Sequence, residues 1–499
     1  MSGAAVSPRA QAVLDRLRGR QIHVLGPSGT EGSAVIDFLL QHGITTITAH
    51  DLEPAGRFEA TVARTHRWLD AAGRAALIGR LRAAPIAWRQ GAEYLQGMDG
   101  ADIVFVPQSW IRHPQNTPVH DAGRRGVPLS SMTRLFFELC PGPILGVTGT
   151  NGKFTVVTLI AAMLEAAGIP SVVSGNDRTH LPALYALDRL TPHTWLVLEI
   201  SNRQLIRLPY SPHVAVVTNI APHHLDDHGS LEAYIEVKRT IVAHQRAADH
   251  AVLNADDPLV AGMGSGVASQ VHWFSRQHAV PRGAFVQDGT VVTAGPALAR
   301  VLPVSDLAVP GPHMVENALA ATAAAAIAGA PAATIAGVLR AFRGLPYRFR
   351  LVMEREGVAF FEDSLGTNPT AAAAAISSMT RPFHLIAGGL RTSARAEDFA
   401  PITRALGAAP VKGIYLIGST AGRLAEAFGA LPARPRLLQA GTLEAAIAAA
   451  WDAAAQGEAV LLSPGCESFD QFADYRERGD RFCALAEALP ARAGRKTRV

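Results

Sequence analysis

Cysteine is scarce: three in 499 residues, Cys140, Cys466 and Cys483, with no C-x-x-C spacing among them. An odd count in a long chain argues against a disulfide framework and reads as reduced, buried thiols. Long apolar runs are missing too. No window approaches the roughly 18–20 uninterrupted apolar residues of a spanning helix. The opening "MSGAAVSPRAQAVLDRLRGRQ" lacks the apolar stretch of a signal peptide, so the chain is expected in the cytoplasm with no membrane partner. An excess of one charge is also absent: 46 Lys and Arg against 42 Asp and Glu leave a net +4. The basic residues are scattered apart from the terminal "ARAGRKTRV", which reads as a solvated end, and no nucleic-acid partner is expected.

What remains is the composition of a globular protein, 48% apolar and 18% charged. The length suggests about three domains. The first segment runs from the apolar "IHVLG" through Gly26, Gly29 and Gly32 to the helical pattern "SAVIDFLLQHG" and then "ITTITAHDLEP". Strand, glycine turn, helix and a second strand ending in Asp51 are the order of a Rossmann-like unit, in which backbone amides meet phosphate and an acid meets a ribose or base. The spacing is not G-x-G-x-x-G. "ADIVFVPQ" and "GVPLSS" read as further strands of a sheet closing near residue 140.

A second unit starts with "PILGVTG", and "VVTLIAAMLEAAG" after it is a helix ended by Gly168. "TWLVLEI", "HVAVVTNI" and "HAVLNADD" read as buried strands separated by helices such as "LEAYIEVKRTIVAHQ", which predicts a mostly parallel sheet covered on both faces. The Ala-rich helices "ENALAATAAAAIAGA" and "AATIAGVLRAF" lead to a linker, "GLPYRFR". Beyond it "GVAFFEDS", "FHLIAGG", "GIYLIGS" and "AVLLSPG" are apolar runs ending in small or polar residues, a third α/β pattern. The expected domains are 1–140, 141–343 and 344–499. No internal repeat is visible, and nothing reads as a coiled-coil seam, so a monomer is expected.

Chemistry concentrates in "GVTGTNGKFTVV". In a phosphate-binding loop, glycines let backbone amides curl around phosphate oxygens, a lysine reaches the terminal phosphates, and the next Ser or Thr holds magnesium. Gly149, Asn151, Gly152 and Lys153 supply all but that hydroxyl, whose place Phe154 takes. Thr155 lies about 100° further round the helix and does not replace it by a simple slide. Glu199 ends one strand and His224 follows another in "APHHLDDH". Both would emerge on the carboxyl edge beside the loop, where a carboxylate, an imidazole and phosphate oxygens suit magnesium or manganese. Lys238 reads, unaided, as an exposed helix lysine.

Taken in order, "TGTNGK", "LEISNRQL", "TNIAPHHLDDHGSLEAYIEVKRTI", "GPHMVENALAA", "LPYRFRLV", "EDSLGTNPTA", "LIAGG" and "LLSPGCESFDQFADYRERGDRF" resemble the Mur ligases. The last and longest motif is similar to the branch that adds glutamate to UDP-N-acetylmuramoyl-L-alanine. The resemblance covers roughly 140–490 and is weak before that. It implies three α/β domains: a Rossmann-like N-terminal domain binding a UDP-linked substrate, a central P-loop ATPase-like domain with a mostly parallel sheet, and a Rossmann-like C-terminal domain binding the incoming amino acid. It also implies an ATP-dependent ligase of peptidoglycan precursor synthesis, in which the acceptor carboxylate attacks the γ-phosphate and an amine then displaces phosphate from the acyl phosphate. Charge developing on the transferring phosphoryl oxygens is what Lys153 and metal would stabilise.

The resemblance assigns ATP to Thr148, Gly149, Thr150, Asn151, Gly152, Lys153, Thr155, Asn317, Arg348 and Asp363. Metal falls to Glu199, His224 and a carbamylated Lys238, with two Mg2+ sites expected and the one at Phe154 altered. Lys153, His224 and Lys238 would be catalytic. Gly26 and Asp51, from the first unit, together with Asn176, Ser201 and Gln204 would face the UDP-linked acceptor; Thr367, Ser468 and Tyr475 would hold the amino acid. Departures accompany it. Met314 replaces an Asn, Tyr347 a His, Asn202 a Ser and Tyr475 a Phe, while Leu365 stands where the family has a lysine that meets substrate carboxylates. An apolar side chain cannot pair with one; Arg391 and Arg395, in a longer loop "LRTSARAEDF", are substitute cations to test. D-glutamate is the expected amino acid. L-glutamate, another amino acid or another acceptor is the alternative, and a nucleotide-binding paralogue with impaired catalysis is the third reading.

Overall fold

The computed structural model describes residues 8–110, 113, 116–175, 181–221, 225–295, 298–392, 395–429, 431 and 435–491. They form two compact units, one comprising the chain up to Leu302 with Asn317–Val338, the other Pro303–Glu316 with the chain from Leu339 on.

The first unit holds two sheets. One is built from β1 (Ile22–Leu25), β2 (Ile47–Asp51), β3 (Ala87–Gln90), β4 (Ile103–Phe105) and β5 (Leu129–Ser130), in the order β3-β2-β1-β4-β5. Every pairing is parallel, and the strand order reverses between β1 and β4, where open α/β sheets leave a crevice at their carboxyl ends. Helix α1 (Thr30–Gln41) follows the glycine turn after β1.

The other sheet comprises β6 (Ile144–Thr148), β7 (Ser171–Ser174), β8 (Trp195–Glu199), β9 (Val214–Val217), β10 (His250–Asn254), β11 (Gln270–Ser275), β12 (Gly283–Gln287), β13 (Thr290–Ala294) and β14 (Ala299–Pro303), ordered β14-β13-β12-β11-β10-β9-β6-β8-β7. All five residues of β6 are buried, as a central strand covered on both faces requires. Helices α2 (Lys153–Ala166), α3 (Asn202–Leu205), α4 (Leu231–Ala243) and α5 (Pro312–Ile327) belong to the surrounding connections. One apolar cluster, from Val13 to Met263, runs through both sheets of this unit.

The expected mostly parallel character holds from β7 to β12, but β12 and β13 form an antiparallel hairpin that the alternation of strands and helices did not announce. Its two-residue turn is Asp288-Gly289, both with positive φ (+47° and +68°), the Asp-Gly pairing that favours a tight hairpin.

The second unit carries β15 (Arg350–Arg355), β16 (Val358–Glu362), β17 (Phe383–Gly388), β18 (Val411–Ile417), β19 (Arg436–Gly441) and β20 (Ala459–Leu462), in the order β15-β16-β20-β17-β18-β19. Only β15, paired with β16, runs antiparallel. Its core gathers Phe360, Ile386, Tyr415, Trp451 and Phe482, the last from helix α6 (Tyr475–Ala488). Among the described residues no helix is long and apolar enough to cross a membrane.

Candidate active site

Register places the expected groups of the central sheet side by side. Val147 on β6 pairs with Glu199 on β8, and Thr148 pairs with Val217 on β9, so all three strands run out at one edge. The loop after β6 is tied down by the chain leaving β9. Thr150 N donates to Asn219 O (2.8 Å), Asn151 N to Asn219 Oδ1 (2.9 Å), and Thr218 Oγ1 to Asn151 O (2.6 Å). The loop closes at Gly152, whose φ of +82° favours glycine. A Cβ there would stand 2.2 Å from Asn317 Oδ1, which places buried Asn317 of α5 directly against the loop. Thr155 lies in the first turn of α2, half-buried.

Lys153 Nζ donates to the carbonyls of Gly149 (3.0 Å) and Thr150 (3.1 Å), folded back onto its own loop. Lys238 corrects the expectation of an exposed lysine: it is 1% exposed. Its Nζ donates to Gly149 O (3.0 Å) and Thr148 Oγ1 (3.3 Å) and lies 4.9 Å from the centre of the Tyr234 ring. Burial first, and then the positive charge of Lys153, bring its pKa from the ordinary 10.5 down to about 7 against the opposing charge of Glu199. Thus Lys153 and Glu199 both act on Lys238, and the two lysines share the Gly149 carbonyl. His224 and Asn176 lie outside the described residues.

On the acceptor side, Ser201 and Gln204 cap α3 reciprocally: Gln204 Oε1 accepts from Ser201 N (2.9 Å) and Ser201 Oγ from Gln204 N (3.3 Å). Asn202 contacts His228 Nε2 at 2.7 Å. Ser201 Oγ also donates to Gln108 Oε1 (2.9 Å), and Gln108 N donates to the Glu31 carboxyl (2.6 Å), which burial pushes up to about 7. No motif marks Gln108 or Glu31 in the sequence; this chain of contacts joins the ends of the first sheet to α3. Gly26 N is bound to His50 O (2.7 Å). Asp51 is 2% exposed and each of its oxygens accepts a backbone amide, from Ser28 (2.8 Å) and Glu53 (3.0 Å). It therefore shapes the glycine turn as well as standing where a ribose or base was expected.

In the second unit, Asp363 is buried at the end of β16 and accepts from Ser463 Oγ (2.7 Å) and Phe349 N (3.1 Å). Burial raises its pKa to about 7, with the Ser463 hydrogen bond and Arg348 among the opposing effects. Arg348 sits between two non-glycine residues of positive φ, Tyr347 (+64°) and Phe349 (+43°). Neighbouring acids hold both strained amides, Glu362 that of Tyr347 (2.9 Å) and Asp363 that of Phe349. The two tyrosine departures meet: Tyr347 packs edge-on to Tyr475, centroids 5.7 Å apart, and donates to Asp480 (2.8 Å). Thr367 N donates to Leu365 O (2.7 Å), and Ser468 is buried at the start of the segment leading to α6.

The residue that organises these loops is one that sequence reasoning passes over. Arg478 is fully buried and donates to Ser364 Oγ (2.9 Å), Ser364 O (2.9 Å), Cys466 O (3.1 Å) and Glu467 O (3.3 Å), stitching the loop after β16 to the loop after β20. Its only sequence signal is its place in the longest motif.

Residues 147–325 match the family model of the Mur ligase middle domain, and residues 347–466 that of the Mur ligase, glutamate ligase domain. A UDP-N-acetylmuramoylalanine–D-glutamate ligase of Symbiobacterium thermophilum is 36% identical over 465 residues, covering 92% of this chain and 96% of that protein. The chain belongs to the Mur ligase family. A protein of the same description from Pelotomaculum thermopropionicum is also 36% identical, over 94% of this Mur ligase and 98% of its own length. The fold agrees with a solved structure, the UDP-N-acetylmuramate-alanine ligase MurC of Thermotoga maritima, at a TM-score of 0.52 with 17% identity, covering 94% of this chain and 99% of that one. The similarity to the curated relatives includes the N-terminal region, where sequence motifs alone gave only a weak match.

Proposed function

We propose that this Mur ligase joins the carboxylate of UDP-N-acetylmuramoyl-L-alanine to D-glutamate at the expense of ATP, in peptidoglycan precursor synthesis. The observation that carries the reading is Lys238: a buried amine, close to half neutral at pH 7, set against the loop that would hold the nucleotide. An ammonium there would repel a divalent cation. A neutral amine can add CO2 and become a carbamate, an oxygen donor of the kind magnesium takes. A nucleotide-binding module without catalysis has no use for such a group.

Glu199, a carbamylated Lys238 and His224 would hold magnesium, which when bound neutralises charge on the transferring phosphoryl group. The amides of residues 152 and 153 would cradle phosphate oxygens at the N-terminus of α2, while those of Thr150 and Asn151 fix the loop to Asn219. Lys153 would exchange its two carbonyl partners for phosphate oxygens, a move that costs little because both partners are neutral acceptors on its own loop. Asn317 would fix the loop's closing turn. Ser201 and Gln204, rigid through their mutual cap, would orient the acceptor carboxylate for attack. Arg348 and Asp363 would contact nucleotide, and Thr367, Ser468 and Tyr475 would line the amino-acid site. The protein would work as a cytoplasmic monomer.

The test is full-length protein with ATP, Mg2+, UDP-N-acetylmuramoyl-L-alanine and, separately, D-Glu, L-Glu and other amino acids, read by phosphate release and product mass. A new amide with D-Glu alone supports the proposal. Turnover with L-Glu or another amino acid moves it to the altered-pocket reading that Leu365 favours. ATP binding without turnover supports the impaired paralogue.

A further inference from the structure

We infer that the first unit carries a second ligand site, a cavity that takes a small organic anion, at the edge of the central sheet opposite the loop that follows β6. The site is independent of the ligation chemistry proposed above.

Strand direction sets the two sites apart. β8, β6, β9, β10, β11 and β12 all run parallel. Thr148 and Glu199 therefore run out at the carboxyl edge, and the first residues of β11 and β12 lie at the amino edge. There a cavity of about 620 Å³ opens between Gln270 and His272 of β11, Arg282 just before β12, and Ala323, Ala326 and Ile327 at the end of α5. Its volume is in the range of small-molecule sites. Helix α5 spans the distance between the two sites. Asn317 meets Gly152 at one end, and Ile327 lines the cavity at the other, about 15 Å along the axis at 1.5 Å per residue. A nucleotide on the loop after β6 leaves the cavity free.

The walls of the cavity divide by chemistry. The α5 side is aliphatic; the strand side is cationic. A guanidinium has five N–H donors, and among the described residues Arg282 makes one side-chain hydrogen bond, from Nη1 to the neutral Gln270 Oε1 (2.8 Å), and no ion pair. His272 is half-buried, and its Nε2 meets His250 Nδ1 at 3.0 Å; among the described residues its Nδ1 has no hydrogen-bond partner. Burial first, and then the charges of His250 and Arg282, hold the His272 imidazole down at about 4, and no acid offsets them. Asp249 is the acid that acts on His250, but its oxygens are already taken by His213 Nδ1 (2.8 Å) and Arg246 N (2.7 Å). The positive charge at this wall thus lacks a counter-charge. An anionic group bridging Arg282 and His272 Nδ1 would supply it through charge-assisted hydrogen bonds, while the ligand's apolar body would be buried against Ala323, Ala326 and Ile327.

The experiment titrates 1-anilinonaphthalene-8-sulfonate, an organic anion that fluoresces when its rings leave water, and its uncharged parent N-phenyl-1-naphthylamine into full-length wild type, R282A, R282K and A326W, with saturating ATP and Mg2+ present. Arg282 and Ala326 are exposed, so neither change removes core packing. Wild type should bind the sulfonate at one site per chain. R282A should weaken that binding about 10-fold or more, the loss expected for a charge-assisted hydrogen bond, and leave the uncharged parent within about threefold. R282K should recover part of the loss. A326W, whose indole fills the cavity, should weaken both ligands about 10-fold or more. Sulfonate binding that ATP abolishes places the anion on the loop after β6 and overturns the inference, as does unchanged sulfonate affinity in R282A or A326W, or the absence of saturable binding to wild type.

Discussion

Replacing Gly152 with alanine tests the contact that closes the phosphate loop. At φ +82° the backbone is left-handed, which costs an L-residue roughly 1–2 kcal/mol. The added Cβ would also stand 2.2 Å from Asn317 Oδ1, so the amide must retreat by about 1 Å or more to reach ordinary contact. Turning Asn317 off its preferred rotamer adds about 1 kcal/mol. Gly152→Ala should therefore destabilise the first unit by about 2–3 kcal/mol, a melting shift of roughly 3–5 °C for a unit of this size. If the loop moves instead of Asn317, its amides leave the phosphate, and kcat/KM for ATP should fall about 100-fold, the scale of a misplacement near 1 Å. Melting curves and nucleotide titrations of G152A, N317A and the double variant separate the two costs. Because Asn317→Ala removes the colliding amide, the double variant should retain only the backbone strain, with a coupling near 1 kcal/mol. Additive effects of the two substitutions, or a G152A protein that melts and binds ATP like wild type, would refute the argument.

Three further outcomes follow from the same site. With a folded pKa of about 7 against an ordinary 10.5, Lys238 holds fewer protons when folded than when unfolded across that window, so it makes stability rise with pH there. Lys238→Met should flatten that slope and cut kcat about 100-fold or more, and wild-type activity in CO2-depleted buffer should recover on adding bicarbonate, more fully above pH 7 than below; indifference to bicarbonate would exclude the carbamate. Phe154→Ser restores a hydroxyl after Lys153 and should lower the Mg2+ concentration for half-maximal activity; an unchanged requirement would show that Phe154 does not shape the metal site. Arg478→Met strands the carbonyls of Ser364, Cys466 and Glu467 and should destabilise the second unit by about 3 kcal/mol or more, seen as a lower denaturant midpoint; a loss under about 1 kcal/mol would mean the two loops hold each other without it.

Much of the architecture is legible because it rests on local pattern. Fully buried parallel strands read as unbroken apolar runs, and β6, β8, β9 and β10 appear where "PILGVTG", "TWLVLEI", "HVAVVTNI" and "HAVLNADD" placed them. Their run-off residues follow from strand polarity, and strand polarity alone sets Glu199 beside the loop. The β12–β13 hairpin escapes such reading although "QDGT" carries its signal, because a search for alternating strands and helices passes over two short strands joined by two residues. β3 and β19, at the sheet edges, are only partly buried and lack an apolar run.

Lys238 and Arg478 mark where sequence patterns stop being informative, and for one reason. A helix's periodicity tells which face is apolar; it does not tell whether a cation on that helix is taken out of water, because the answer lies in acceptors supplied from distant parts of the chain. For Lys238 these are Gly149 O and Thr148 Oγ1, 89 and 90 residues away; for Arg478 they include Ser364, 114 residues away. Burying either charge is unfavourable by itself, so each position persists only where those acceptors converge. The two sites resolve the cost differently. Arg478, lowered by burial to about 10, still keeps its charge at neutral pH and satisfies its guanidinium with neutral acceptors, which suits a fixed strut. Lys238, brought to about 7, meets the cost by giving up its proton in about half of the molecules at neutral pH, and a neutral amine is a nucleophile. The same desolvation lowers both cations, but a guanidinium starts well above an amine, so only the lysine is brought to neutral pH and becomes reactive while the arginine stays a structural charge.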